Sequence, residues 1–118
     1  MHVKRFEDAK PYDAVNHRDV VGLRLQGFEP EGPKNHWVGL SYYMPRGGAG
    51  PDSTPFEKVY VVIEGEICVI VNGQETVLKK FDSCTIPPNE VRELVNRSNH
   101  VCTLLVALPY PPGYSHGQ

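Results

Sequence analysis

Val59-Tyr60-Val61-Val62-Ile63-Glu64-Gly65-Glu66-Ile67-Cys68-Val69-Ile70-Val71-Asn72-Gly73-Gln74-Glu75-Thr76-Val77-Leu78 decides the fold class. The stretch Val59–Val71 is dense in β-branched and aromatic residues and is broken once, at Glu64-Gly65-Glu66, so it reads as two strands. Asn72-Gly73 supplies two residues that tolerate positive φ, as a type I′ hairpin turn requires, and Gln74–Leu78 reads as the returning strand. Working outward, the same signals predict strands at Val20–Leu25, Trp37–Met44, Ser83–Ile86, Glu90–Val95 and Val101–Leu108. No segment carries a helical apolar period, and helix is expected at most as a turn near Ala9–Val15. Short strands at close spacing predict an all-β sandwich or barrel.

The remaining composition narrows the function. At 118 residues the chain is expected to form one domain. Twelve Lys and Arg against 14 Asp and Glu leave a net charge of −2, which gives no basic surface for nucleic acid. The longest apolar run, Val59–Ile63, is too short to span a bilayer. Met1–Asp8 lacks the apolar centre of a secretion signal, so a cytoplasmic location is expected. Cys68, Cys84 and Cys102 form no close pair and are expected to be free thiols on strands. Pro109-Tyr110-Pro111-Pro112-Gly113-Tyr114-Ser115-His116-Gly117-Gln118 cannot continue a helix or a central strand and is expected to be a tail or a surface strap.

From Pro45 to Pro109 the chain resembles the cupin superfamily. The frame of one family motif is visible in Glu57–Glu66 with Gly47-Gly48-Ala49-Gly50 upstream, and that of the other in Asp82-Ser83-Cys84-Thr85-Ile86-Pro87-Pro88-Asn89, closing at Asn96. The resemblance implies a cupin-type β-barrel (a double-stranded β-helix, or jelly roll). Residues 37–108 would form its core, 1–36 would add edge strands and 109–118 would be the tail. Many cupins ligate a metal with two histidines, a glutamate and a third histidine. Counted along the motifs, those positions fall here on Asp52 and Thr54 (or Pro51 and Ser53), on Lys58 and on Arg92. Glu57 is one residue early, which on a strand places it on the opposite face. The glycines of the second motif are replaced by Phe81 and Asn89.

Lysine and arginine cannot ligate in their charged forms and repel a divalent cation, so no metal or other cofactor is expected at these positions. Two inward cations instead call for an anion, either internal (Asp52, Glu57 or Glu90) or from a ligand. Lys58 and Arg92 are the candidate anion-holding pair, with Tyr60 on the same face as Lys58 to orient or protonate. These three are the candidate catalytic residues. One of Tyr42 and Tyr43, which face opposite sides of a strand, would line the pocket, and His36 and Trp37 would reach its mouth. The favoured reading is a small cupin that binds a small carboxylate-bearing metabolite, with metal-independent isomerisation, elimination (lyase) or decarboxylation as the reactions the groups could support. The alternatives are a non-catalytic ligand-sensing or accessory scaffold, and a metal-dependent enzyme with atypical ligands. Exposed N-terminal edge strands lead to the expectation of a homodimer.

Overall fold

The computed structural model describes residues 1–114. After a 3-10 turn at Phe6–Asp8 come nine strands: β1 (Lys10–Tyr12), β2 (His17–Gln26), β3 (Trp37–Asp52), β4 (Lys58–Glu64), β5 (Glu66–Val71), β6 (Gln74–Lys79), β7 (Ser83–Ile86), β8 (Arg92–Val95) and β9 (Cys102–Leu108). All pairings are antiparallel and run in the order β6-β5-β8-β3-β9-β4-β7, with β2 also on β3 and β1 on β2. The result is a nearly closed antiparallel β-barrel. No helix among the described residues is long and apolar enough to cross a membrane.

The barrel curls because β3 changes partners halfway. Its first half, Trp37–Tyr43, pairs with β9, whereas Gly48–Asp52 pairs with β8. Between them the chain bends at Arg46, which has φ 71. Asn96, the residue closing the second motif, pins this corner. Fully buried, it donates from Nδ2 to the carbonyls of Tyr43 (2.9 Å) and His100 (2.7 Å), and its Oδ1 accepts from the Ser98 amide (3.0 Å) and hydroxyl (2.8 Å). The glycines Gly47-Gly48-Ala49-Gly50 are therefore strand and not a loose lead into the motif. A Cβ on Gly48 would stand 2.2 Å from the Leu94 carbonyl oxygen, so only glycine lets β8 approach.

Alternation sets which side chains turn inward. On β4, Lys58, Tyr60 and Val62 are buried while Val59 is exposed, and on β9 Cys102, Leu104 and Val106 are buried in the same rhythm. With Tyr43, Ile67, Leu94 and their neighbours they form one core. Glu57 is exposed, on the face opposite Lys58. The Asn72-Gly73 hairpin forms as expected, with φ of 52° and 74°.

Three local expectations change. Ala9–Val15 holds no helical turn; β1 lies there because Lys10, Pro11 and Tyr12 pair with Arg24, Leu23 and Gly22. β3 continues past Met44 to Asp52 because its glycines allow the second pairing. β8 starts at Arg92 and not at Glu90, since the Glu90 amide closes a turn on the Pro87 carbonyl (3.3 Å). The chain end is a strap as far as it is described: Tyr110 and Tyr114 each meet the Phe28 ring at 5.1 Å, and the Tyr110 hydroxyl donates to the Pro33 carbonyl. Residues 115–118 of that segment lie outside the described residues. The three cysteines are free.

Candidate ligand-binding site

A cavity of about 220 Å3 lies inside the barrel. Lys58 and Tyr60 reach it from β4, Arg92 from β8, and Trp37, Ser41, Tyr43 and Asp52 from β3; Leu104, Val106 and Leu108 of β9 form its apolar side. Its size suits a small metabolite. Tyr12 and His17 complete the wall from β1 and β2.

The two cations define the electrostatics. Lys58 is 5% exposed and Arg92 6% exposed. The Arg92 guanidinium donates from Nε to the Tyr60 hydroxyl oxygen (3.0 Å) and from a terminal nitrogen to the Gly50 carbonyl (3.1 Å). Neither cation forms an ion pair with any described residue, and Lys58 makes no hydrogen bond to one. Asp52 stands opposite Arg92 in the strand register but is exposed at the rim. Its backbone neighbour uses it: the Ser53 amide donates to Asp52 Oδ1 at 2.8 Å. Glu57 faces solvent, and Glu90 lines a separate groove between β6 and β7.

Burial, and after it the charge of Arg92, pull the Lys58 ammonium down to about 8, with Asp52 acting in the opposite direction. Burial holds the Tyr60 and Tyr43 phenols protonated, raising both above the ordinary range. His17 is shifted down, first by burial, so its ring is neutral at pH 7. Its Nδ1 lies 2.7 Å from the Val15 carbonyl. A carbonyl only accepts, so Nδ1 carries the hydrogen and Nε2 is left as an acceptor. Trp37, 7% exposed, stacks edge-on against Tyr12 at 5.4 Å, and its indole N–H has no hydrogen-bond partner among the described residues.

Of the residues singled out from sequence, the barrel brings together Lys58, Tyr60, Arg92, Trp37 and Tyr43. Tyr43 is the inward member of its pair. Tyr42 pairs with Val21 and Thr103 and does not line the cavity, because adjacent strand residues face opposite sides. His36 is exposed in the loop before β3 and also lies off the cavity. Sequence reasoning missed Tyr12, Ser41 and His17. They enter through the β1–β2–β3 meander, outside both motifs, and no spacing signal marks them.

The positions at which the fold family's metal would be ligated do converge, but they carry Asp52, Thr54, Lys58 and Arg92. One carboxylate and one hydroxyl beside two cations do not fit a divalent metal. Among the described residues no three His, Cys, Asp or Glu side chains gather as a metal site.

Residues 39–108 match the family described as Cupin domain. Over 111 residues the chain is 42% identical to a Mycobacterium tuberculosis protein named beta-D-galactosidase Rv1717, covering 94% of this chain and 96% of that one. Its backbone is similar to that of the polyketide cyclase RemF from Streptomyces resistomycificus, with a TM-score of 0.84, 19% identity and coverage of 100% of this chain and 86% of that one. KdgF from a Halomonas species is similar at a TM-score of 0.76, with 10% identity and coverage of 95% and 96%. A predicted oxalate decarboxylase from Thermotoga maritima also superposes at a TM-score of 0.76, with 22% identity and coverage of 92% and 98%. At these identities the structural likenesses speak to fold alone.

Proposed function

The chain belongs to the cupin family, and from that premise we propose that its barrel binds a small carboxylate-bearing metabolite where metal-dependent relatives hold their ion. One observation carries this reading: two buried cations share a cavity without an ion pair to any described residue. An unpaired buried charge is costly, and a ligand carboxylate relieves the cost. Arg92 still has N–H groups free of the Tyr60 and Gly50 bonds and offers them as a planar fork, while Lys58 adds a second donor beside it. Trp37, Tyr12 and Tyr43 form an aromatic wall, and the Trp37 indole N–H is a further donor. Tyr60 accepts from Arg92, so its own hydroxyl hydrogen is free to be given to an oxygen of the ligand. With Lys58 near neutrality as a base, these groups suit isomerisation, elimination or decarboxylation of the bound acid without a metal.

A second reading has one specific support, the 42% identity to a protein named as a beta-D-galactosidase. Hydrolysis of a galactoside ordinarily uses two carboxyl groups flanking the bond. Asp52 is the one carboxylate lining this cavity among the described residues.

Galactose and galacturonate share a ring and differ by the carboxylate, so thermal shift with each separates the readings. A ligand at about a hundred times its Kd adds about 2.7 kcal/mol, which is several degrees in a domain this size. The expected result is a shift with galacturonate or with smaller mono- and oxo-carboxylates, absent with galactose and lost in Arg92→Gln. A shift with galactose, together with cleavage of a chromogenic β-D-galactoside, transfers the conclusion to the second reading. A shift with a divalent metal alone refutes the replacement of the metal, and no shift at all favours a non-catalytic scaffold.

A further inference from the structure

A carboxylate seated on Arg92 leaves Lys58 in excess. The arginine fork alone satisfies a carboxylate in two hydrogen bonds. Lys58 is buried on the same cavity, hydrogen-bonded to no described residue and beside a permanent positive charge. A desolvated lysine next to a second cation is the arrangement that turns an ammonium into a nucleophilic amine. We propose that Lys58 forms an imine with the carbonyl of an oxo acid whose carboxylate is held by Arg92. This rests on the carboxylate reading above and adds to it the substrate class and a covalent step.

The step needs no oxidant or reductant. The Lys58 lone pair forms a C–N bond to the carbonyl carbon as the π pair moves to oxygen. Both amine hydrogens then leave with that oxygen as water, and a C=N bond remains. The departing oxygen requires a proton. Tyr60 relays it: its O–H protonates the oxygen and is restored by a hydrogen coming off the amine, so the two amine hydrogens account for the water; its oxygen already accepts the Arg92 Nε–H at 3.0 Å, which leaves its O–H directed elsewhere, and burial keeps the phenol protonated. His17 is neutral, with Nδ1–H on the Val15 carbonyl, and presents Nε2 as an acceptor on the same cavity. The charged and titratable groups facing Lys58 are thus Arg92, Asp52, Tyr60, Tyr43, Tyr12 and His17. Only Asp52 opposes loss of the lysine proton, and it lies at the exposed rim. Burial is the larger cause of the lowered Lys58 value, and it persists when a bound carboxylate offsets the charge of Arg92. An imine next to the acid would acidify the neighbouring C–H and so serve isomerisation or elimination.

The test is reductive trapping of the full chain with sodium cyanoborohydride and either pyruvate, a 2-oxo acid, or acetoacetate, a 3-oxo acid, followed by intact mass and peptide mapping. The expected result is a single adduct per chain, mapped to Lys58 in preference to exposed lysines such as Lys79 and Lys80 by about tenfold or more. Arg92→Gln should reduce trapping by about tenfold at limiting oxo acid. Mapping the unmodified sequence locates the adduct even if a Lys58 variant does not fold. Adducts spread over the exposed lysines, or no adduct with either acid, overturn the proposal. The same acids without reductant separate the two failures. A thermal shift lost in Arg92→Gln, with no adduct, refutes the imine and keeps the carboxylate site. Neither shift nor adduct refutes both.

Discussion

Lys58→Met should make the protein more stable. The ammonium falls from its ordinary 10.5 to about 8 in the folded chain, principally through burial, and that gap corresponds to about 3 kcal/mol of penalty on the charged form. Below pH 8 the penalty is fully present. Between pH 8 and 10.5 the unfolded chain keeps the Lys58 proton and the folded chain has lost it, so stability rises with pH across that window. Methionine has a similar unbranched length and no charge, and it removes the penalty at every pH. At pH 7 the variant should gain about 2–3 kcal/mol, or about 8 °C or more in Tm. By pH 10.5 the two proteins should coincide. Urea unfolding at intervals from pH 7 to 10.5 measures this, and taking the difference between the proteins cancels the titration of Tyr43 and Tyr60, whose phenols are shifted up in both. A variant less stable than its parent at pH 7 would mean that Lys58 is paired after all, and the anion site would lose its basis. Curves that stay parallel through the window would show that Lys58 does not titrate there.

Two further substitutions test the frame that holds the site. Asn96→Ala removes four hydrogen bonds at a fully buried position and takes the side-chain amide donor from the carbonyls of Tyr43 and His100, the latter keeping the Ser98 hydroxyl; a loss of about 3 kcal/mol or more in urea unfolding is expected, and less than 1 kcal/mol would show that the corner of β3 does not depend on it. Phe81→Gly should stabilise by about 1 kcal/mol, because Phe81 holds φ 69 while 70% exposed, and the gain from relieving the left-handed backbone exceeds what its ring contacts supply; an unchanged or lower urea midpoint refutes that balance.

The two strands of Val59–Val71 and their hairpin were legible because three local signals agree there: β-branched residues, a Gly at the break and Asn-Gly at the turn. Arg92 was legible as a neighbour of Lys58 and Tyr60 only through the family frame, since β4 and β8 are not paired with each other and nothing in composition brings them together. The full length of β3 was hidden by its glycines, which read as a loop until the β8 backbone is seen packed against Gly48. Phe81 and Asn89 show the converse. Both motif positions keep a left-handed backbone, at φ 69 and 65, although neither is glycine, so the turn survives the loss of its usual residue. Tyr12 and His17 were illegible because their place on the cavity follows from the register of β1 on β2 and of β2 on β3, and a register between distant segments leaves no periodic trace in either.

The change of partners along β3 also bears on which pairings are open to the chain as it is synthesised. The β5–β6 hairpin and the β1–β2–β3 meander pair segments close in the chain and are complete early. The remaining edge of β3 must wait for β8 and then β9, where Trp37 meets Leu108. Non-local pairing of this kind is slow, and until it occurs β3 presents an open edge. The cavity takes its walls from β4, β8 and β9 as well as from the β1–β2–β3 meander, so it is complete only once β9 has paired. Lys58 and Arg92 remain hydrated until that closing step, and the penalty of burying them is incurred only when the rest of the barrel is in place to sustain it.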